Sequence, residues 1–437
     1  MSEATTDREY LRGAGVSARA GDGYLGFVPA IIIAYVTLLS PLFFVREVGD
    51  TASAASSGAG ANLANQLFWV MLLFSVIVAG WRRLPRVLGV LRQPAVLLFL
   101  AFLALAFASI AWSPAPSIAF RRVMLQVIVL AAIVGPIFMA QDREAQLSRI
   151  ATVFIVAVIV NMVAVVFRPA GPIGHEGIYA HKNQFGLIVA YAFIFCLYGT
   201  VRFSGMMRLL AMAAAAMALL ELAASQSKTS LGLAMLLPSA ALAVVGLGRL
   251  IGIRPVYVLA FAMVFALCGY AFASFLFDFT FEDLSLLLFD DTTFTGRTVI
   301  WDFIGGVIER RPFLGQGYGS FWGIGENSIA AREAPGFVAD LLQAHNGYVD
   351  VTLETGFVGL GLLLALIVAV LFRIGRQHGN GFAEDWLLFC VVLFAVCHNM
   401  LESSWFRGYV LAWLLFVMAA GFSASGRLTK SVPLRND

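Results

Sequence analysis

Long apolar runs, separated by short polar segments, recur along all 437 residues of this chain. Each run approaches the ~20 residues that a helix needs to cross ~30 Å of hydrocarbon. The pattern predicts an all-α polytopic membrane protein with about twelve transmembrane helices. The predicted spans are 27–45, 66–81, 94–111, 120–140, 150–167, 184–201, 208–224, 230–248, 255–277, 347–372, 386–401 and 407–423.

The same pattern divides the chain into five parts. Residues 1–26 are polar and rich in Gly and Ala, which predicts a disordered cytoplasmic tail. Residues 27–277 hold the first nine spans, 278–346 form one long loop, and 347–423 hold the last three spans. Residues 424–437 form a second tail. Trp and Phe side chains in the long loop predict an ordered cap, with a short helix from Val299 to Ile308.

Arginine and lysine orient the spans, because cytoplasmic loops carry an excess of these residues. With the N-terminus inside, 18 of the 29 basic residues fall on inside segments, at least two on each. Both termini are then cytoplasmic and the long loop is periplasmic. The 11 remaining basic residues lie on the outside or at its edge, where the excess of basic residues in cytoplasmic loops does not explain them. We therefore regard them as candidates for binding an anion.

Composition agrees with this class and excludes others. The chain is 60% hydrophobic and 13% charged, whereas soluble domains have about 25% charged residues. No basic tract interleaved with aromatic residues indicates a nucleic-acid partner. Four cysteines lie within apolar runs, without metal-ligand spacing, which predicts small buried hydrophobes and no metal site. They are Cys196, Cys268, Cys390 and Cys397.

One of the five histidines, His345, stands where the long loop gives way to an apolar helix. A titratable group there is reachable from water yet lies beside a low dielectric, so it suits proton transfer as a general base. The alternative is a histidine that only makes a local hydrogen bond at a helix start. Asn346 is a candidate for orienting the ring, and the helix start supplies backbone N–H groups.

Three cations on the outside are the main candidates for anion binding. Arg297 follows a glycine and opens an amphipathic stretch, and its planar fork suits bidentate contacts to phosphate. Lys182 and Lys228 lie at the outer ends of helices in polar motifs. The alternative for each lysine is snorkelling towards the lipid headgroups, and for Arg297 simple solvation.

Acidic residues near the outer helix ends need partners, because an unpaired charge there is costly. Glu354 lies near the start of a span, and Asp350, one turn earlier, shares its face. His345 lies on a different face from Glu354, so no dyad is predicted between them. Glu402 and Arg407 are predicted to form a partly buried ion pair or to support the site.

Five motifs between residues 180 and 405 together resemble the O-antigen ligase/polymerase superfamily, and most closely its exopolysaccharide-polymerase branch. The motifs are Ala180 to Gly186, Ser225 to Ser230, Gly296-Arg297 with Trp301 and Pro312 to Gly319, Ala344 to Tyr348 with Glu354 to Gly356, and Asn399 to Glu402.

This resemblance implies a metal-independent, inverting glycosyltransferase of the GT-C kind that needs no cofactor. Its donor would be an oligosaccharide on undecaprenyl pyrophosphate, and its acceptor a growing glycan or another hydroxyl. The resemblance makes His345 the base and Arg297 and Lys228 pyrophosphate ligands. Ligases tend to carry arginine where this chain has Lys228. The further implied substrate contacts are His181, Lys182, Asn183, Asn346, Glu354 and Arg407.

The predicted function is therefore polymerisation of glycan repeat units at the periplasmic face of a bacterial inner membrane. The bilayer, a flippase and a chain-length regulator would be its other partners. A ligase that joins a finished glycan to a lipid or protein acceptor is the alternative. A transporter or flippase is the second alternative, but such proteins show broken helices with polar residues near the midplane. Here the polar motifs lie at outer helix ends.

The topology is testable by cysteine labelling. A single cysteine at or near position 300, in a chain without its native cysteines, should react with a membrane-impermeant thiol reagent added outside intact cells. The reason is that the long loop is predicted to face the periplasm. A matching cysteine in the inside segment 82–92 should react only after the cells are opened. The reverse pattern would contradict the predicted orientation.

Overall fold

The computed structural model describes residues 23–43, 63–140, 142–280, 283, 297–326, 328–375 and 381–425. Its regular structure is helical, and the only β feature in this part of the chain is one isolated bridge between Gly171 and Gly174. The predicted all-α class is confirmed. Most of both predicted tails and the acidic residues Glu282, Asp290 and Asp291 lie outside the described residues.

Fifteen α-helices are present in these ranges, numbered here in chain order. They are α1 (Gly23–Phe43), α2 (Leu63–Gly80), α3 (Leu84–Val90), α4 (Pro94–Ser109), α5 (Pro116–Met139), α6 (Arg143–Phe167), α7 (Lys182–Arg202), α8 (Gly205–Ser225), α9 (Lys228–Leu250), α10 (Pro255–Phe277), α11 (Arg297–Arg310), α12 (Ile329–Glu333), α13 (Gly347–Arg373), α14 (Phe382–His398) and α15 (Leu411–Ala424).

Ten of the described helices are long and apolar enough to cross a membrane, and each overlaps one of the first ten predicted spans. The last two predicted spans correspond to shorter helices, α14 with 17 residues and α15 with 14. The difference arises because residues 399–410 form turns rather than helix ends, and Asn399 and residues 403–407 are buried in them. Helix α15, which corresponds to the twelfth predicted span, therefore begins at Leu411, four residues later than predicted.

Burial distinguishes the central helices from the peripheral ones. Every residue of α15 is buried, because the helix is enclosed by α5, α13 and α14. In α10 only Pro255 and Val258 are buried, and most of its other side chains are exposed. A helix that is apolar on all sides suits both places, since lipid is as apolar as a protein core.

The cap is ordered around helix α11, which confirms the predicted short helix near 299–308. Ile300, Ile304 and Val307 follow helical spacing and are buried against Trp322 and Leu353. This small apolar cluster, separate from the main core, holds the cap on the first turns of α13.

Helix α13 is broken at Gly356, where φ is 67° and ψ is −171°. Only glycine adopts this conformation readily. The break leaves two carbonyls and two amides without hydrogen-bond partners inside the helix. The cap segment 312–317 bonds to all four. The bonds run from Gln316 N to Leu353 O (2.9 Å), Gly317 N to Glu354 O (2.9 Å), Phe357 N to Pro312 O (2.8 Å) and Val358 N to Phe313 O (3.3 Å).

Substitution of this glycine should therefore be severe. In Gly356→Ala the new methyl group would overlap the backbone of Phe313 and force a positive φ on alanine. We expect a loss of about 3 kcal/mol or more in unfolding free energy. Gly361→Ala is the control, because that site of α13 has open space around it and alanine favours a helix by about 1 kcal/mol. Thermal unfolding in detergent compares them, and equal midpoints would contradict the role of the break.

Candidate functional site

Polar motifs that are distant in sequence converge at one end of the helical bundle, called here the site end. The loop 168–181 folds over the end of α8, where His175 N donates to Ala224 O at 2.9 Å. The first turns of α7 and α9 are in contact, because Gly186 lies directly against Ser227. The lack of a side chain at Gly186 permits this approach.

Glu402 is the centre of the site end. Its Oε1 accepts a hydrogen bond from Asn183 Nδ2 at 3.2 Å and lies 3.5 Å from Arg297 Nη2. Its Oε2 lies 3.2 Å from His345 Nδ1. One carboxylate thus joins a residue of α7, the first residue of α11 and the predicted base. Of the two roles predicted for Glu402, an ion pair with Arg407 or support of the site, the ion pair is wrong, because Arg407 pairs with Asp350 and Glu354.

A turn built around Asn399 places Glu402. The Asn399 side chain is fully buried, and its amide donates to Ala395 O at 2.8 Å and Ser404 Oγ at 2.6 Å. Its Oδ1 accepts from Ser404 N at 2.8 Å. Gly347 N then donates to Asn399 O at 2.8 Å and to Glu402 O at 3.0 Å. The end of α14 is thereby locked to the start of α13.

His345 has a left-handed backbone, with φ of 49°. This conformation costs a non-glycine residue about 1–2 kcal/mol and is often found at functional sites. The amide of Gln343 is 3.4 Å from the same Nδ1 that faces Glu402, so the closer, charged carboxylate is the stronger partner. The imidazole is about one quarter exposed, at 24%, and is therefore reachable from solvent.

Asn346 has a different role from the one expected. Its Oδ1 accepts hydrogen bonds from Tyr348 N at 3.0 Å and Val349 N at 3.2 Å. It therefore caps the N-terminus of α13, and this oxygen does not orient the His345 ring. The cap nevertheless defines where the helix begins, immediately after the histidine.

The charge of Glu402 is stabilised by its surroundings. Burial by itself raises the pKa of this carboxyl, but the hydrogen bond with His345 and the positive charge of Arg297 outweigh it. The pKa therefore lies below the ordinary value of a glutamate, and the side chain is ionised at neutral pH. An ionised carboxylate next to an imidazole favours the ring with a proton on Nδ1.

The lysines and His181 lie at helix starts. His181 is the N-cap of α7, and its Nδ1 accepts from Asn183 N at 3.1 Å. Lys182 is the first residue of that helix, and its Nζ donates to Ile173 O at 2.9 Å. Lys228 is exposed at the first position of α9. The structure thus places both lysines at the site end.

Arg407 and Glu354 belong to a second, more deeply buried group. Arg407 Nη2 lies 3.1 Å from Asp350 Oδ2 and 3.2 Å from Glu354 Oε1. These side chains are at most 8% exposed. The predicted common face of Asp350 and Glu354 is confirmed, because one guanidinium contacts both. Arg407 pairs with them rather than with Glu402.

Arg122 is a further participant, predicted only as one of the 11 outside basic residues that are candidates for binding an anion. Its Nη1 donates to Gly319 O and lies 3.4 Å from Trp322 O, while Gly319 N donates to Glu354 Oε2 at 2.9 Å. Arg122, Glu354 and Arg407 line a small cavity. The sequence feature that could have indicated this role is the adjacent pair Arg121 and Arg122 at the outer start of a predicted span.

Comparison with known proteins gives partial matches. The sequence model of the family described as O-antigen ligase matches residues 211–364. A protein named as a polysaccharide ligase in Rickettsia prowazekii (strain Madrid E) is 28% identical over 127 residues. Another so named in Rickettsia bellii (strain RML369-C) is 24% identical over 127 residues. Each alignment covers 28% of this chain and 31% of the relative.

The family match begins within α8 and ends within α13, so it includes Lys228, Arg297 and His345. Asn183 and Glu402 lie outside it and join the site through tertiary contacts. This chain covers about a third of the length of the two relatives. Within those limits, the comparisons confirm that this multi-span membrane protein resembles the O-antigen ligase superfamily.

Proposed function

We propose that this protein is a glycosyltransferase of the ligase type, which moves a glycan from undecaprenyl pyrophosphate to an acceptor hydroxyl at the periplasmic face. The observation that carries the proposal is the contact of Glu402 with both His345 and Arg297. Glu402 orients the histidine and holds a cation at the same site. A displacement of a phosphate leaving group needs both, a base for the acceptor hydroxyl and positive charge for the leaving group.

In the proposed reaction, the acceptor oxygen attacks the anomeric carbon of the donor sugar. The bond between that carbon and the pyrophosphate oxygen breaks, and the oxygen keeps the electron pair. The acceptor proton passes to His345 Nε2, because Nδ1 faces Glu402 at 3.2 Å. Glu402 stabilises the imidazolium that forms. A single displacement of this kind inverts the anomeric centre.

Positive charge at the site end supports pyrophosphate binding. Four described helices, α7, α9, α11 and α13, begin there, and three of them start with a cation. These cations are Lys182, Lys228 and Arg297. Helix N-termini present unpaired N–H groups and a partial positive charge, which favour an anion. This field would stabilise the leaving group as its charge develops, so the proposal needs no metal ion.

Three observations bear on the alternatives. Both relatives carry the name polysaccharide ligase, which favours transfer to a separate acceptor over polymerisation. Lys228, the residue type associated with the polymerase branch, keeps polymerisation as the second candidate. The break in α13 is filled by cap residues 312–317, whereas a transporter would use such a break to line a substrate site. This difference supports an enzyme.

The direct test uses purified protein with a fluorescent undecaprenyl-pyrophosphate-linked oligosaccharide and an acceptor glycolipid. Release of undecaprenyl pyrophosphate and product size are both measured. One discrete transfer product supports a ligase, and a ladder supports a polymerase. His345→Ala should lower the rate by about 10²–10⁴-fold, the usual contribution of a general base.

The control is His175→Gln, which alters a histidine bonded to the backbone of the loop 168–181. Per folded molecule, its rate should match that of the unmodified protein. Full activity of His345→Ala would contradict the base assignment, and failure to release undecaprenyl pyrophosphate with any acceptor would contradict the proposed reaction.

The carboxylate of Glu402 also makes a pH-dependent prediction. Its lowered pKa means that its ionised form stabilises the fold above about pH 4.3, the ordinary glutamate pKa. Glu402→Gln should therefore lower the thermal midpoint at neutral pH, by the equivalent of about 2 kcal/mol. The difference from the unmodified protein should shrink as the pH falls through the lowered pKa.

Glu333→Gln provides the comparison, because Glu333 forms an exposed pair with Arg310 at 2.7 Å. Such pairs contribute little to stability, so its midpoint should hardly change. A stability gap for Glu402→Gln that stays constant from pH 8 to pH 3 would show that the Glu402 charge is not the stabilising feature.

A further inference from the structure

Asp350 is a buried carboxylate that bonds to the backbone beside His345. Only 2% of its side chain is exposed. Three groups make four contacts with its two oxygens, and one of them is the amide of Ala344, the residue that precedes the histidine. The contacts are Trp322 Nε1 to Oδ1 (2.8 Å), Ala344 N to Oδ1 (3.3 Å) and to Oδ2 (3.1 Å), and Arg407 Nη2 to Oδ2 (3.1 Å).

The left-handed turn at His345 is held from both sides. On the N-terminal side, Ala344 N bonds to Asp350 and Ala344 O accepts from Trp301 Nε1 at 3.0 Å. On the C-terminal side, Gly347 N bonds to the Asn399 turn. A histidine adopts positive φ only where its neighbours are fixed in this way. Of these anchors, the one provided by Asp350 is charged.

We propose that Asp350, held by Arg407, is a positioning residue that sets the His345 ring against Glu402. The inference rests on the function proposed above. Asp350 touches no substrate in this scheme. It acts through the backbone of Ala344, because the peptide between Gln343 and Ala344 is bonded to Asp350 and fixes the direction in which the chain enters His345.

The charge of Asp350 matters for this role. A carboxylate accepts the Ala344 amide, the indole N–H and the guanidinium together, and each bond is charge-assisted. An asparagine of the same shape would turn an NH₂ group towards at least one of these donors. Arg407 also contacts Glu354, whose Oε2 accepts from Gly319 N. The anchor is thereby connected to the cap and to α13 at once.

The first measurement is the steady-state kinetics of Asp350→Asn with the fluorescent undecaprenyl-pyrophosphate-linked donor. We expect kcat to fall by about 10²-fold, the effect of a misplacement of about 1 Å, while KM for the donor changes by less than about threefold, because the proposed donor ligands are untouched. A rise in KM with unchanged kcat would overturn the proposal.

The matched control is Asp385→Asn. Asp385 is equally buried, with 2% of its side chain exposed, and pairs with Arg249 Nη2 at 2.7 Å. It lies near the start of α14, about 20 Å along the helix from the Asn399 turn. Both variants should lose thermal stability, but only Asp350→Asn should lose kcat per folded molecule. An equal loss of kcat in both would mean that Asp350 has only a structural role.

A double-variant comparison separates positioning from other effects. In a His345→Ala background, with imidazole supplied to raise the slow rate, adding Asp350→Asn should change the rate by less than about twofold, because no ring remains to be positioned. A further 10²-fold fall would overturn the proposal. If His345→Ala itself is fully active, the proposed function fails, and this outcome is distinct from either result.

Arg407→Lys serves where Asp350→Asn does not fold. It keeps the positive charge beside Asp350 but loses the fork that reaches both carboxylates. We expect a smaller fall in kcat, about tenfold, that also disappears in the His345→Ala background. Persistence of that fall without the histidine would contradict a role through His345.

Discussion

A carboxylate buried in an apolar bundle needs positive partners, and this requirement shapes the site end of the molecule. Isolated buried charges cost several kcal/mol, whereas paired and hydrogen-bonded ones are tolerated. Glu402 meets the requirement with Arg297 and His345, and Asp350 meets it with Arg407. One of the two carboxylates contacts the ring of the histidine, and the other bonds to the backbone of Ala344, the residue before it.

The two charged groups also connect separate elements at the site end. Glu402 links the turn after α14 to α7 and α11, and Arg407 links that turn to the first turns of α13. Glu354 then bonds to the cap through Gly319. The cap, the turn around Asn399 and helix α13 therefore form one frame around His345. A base held this firmly pays little reorganisation cost when a proton is transferred.

The break at Gly356 is the backbone counterpart of this arrangement. A continuous helix would leave no free carbonyls for the cap, whereas the broken one exchanges four bonds with residues 312–317. This break, which only a glycine accommodates, thus lies two residues after Glu354, close to the charged group. Backbone polar groups cannot stay unpaired in an apolar surrounding, so the cap is required by the break and not merely adjacent to it.

Several features followed from the amino-acid sequence alone. The first ten spans did, because a run of about 20 apolar residues has few other stable forms. Asp350 and Glu354 share a partner because residues four apart lie on one helix face. Helix α11 was predictable from the apolar spacing of Ile300, Ile304 and Val307. Each of these is a local property, set by residues within two or three turns.

The pairing of charges was decided only by tertiary structure. Glu402 and Arg407 are close in sequence, but the buried Asn399 turn directs one towards His345 and the other towards Asp350. Asn346 caps α13 because the chain enters that helix in an extended conformation. The shortness of α15 likewise follows from the partly buried turns at 399–410. Local sequence shows that such charges need partners, but which partner each one finds depends on where distant helices end.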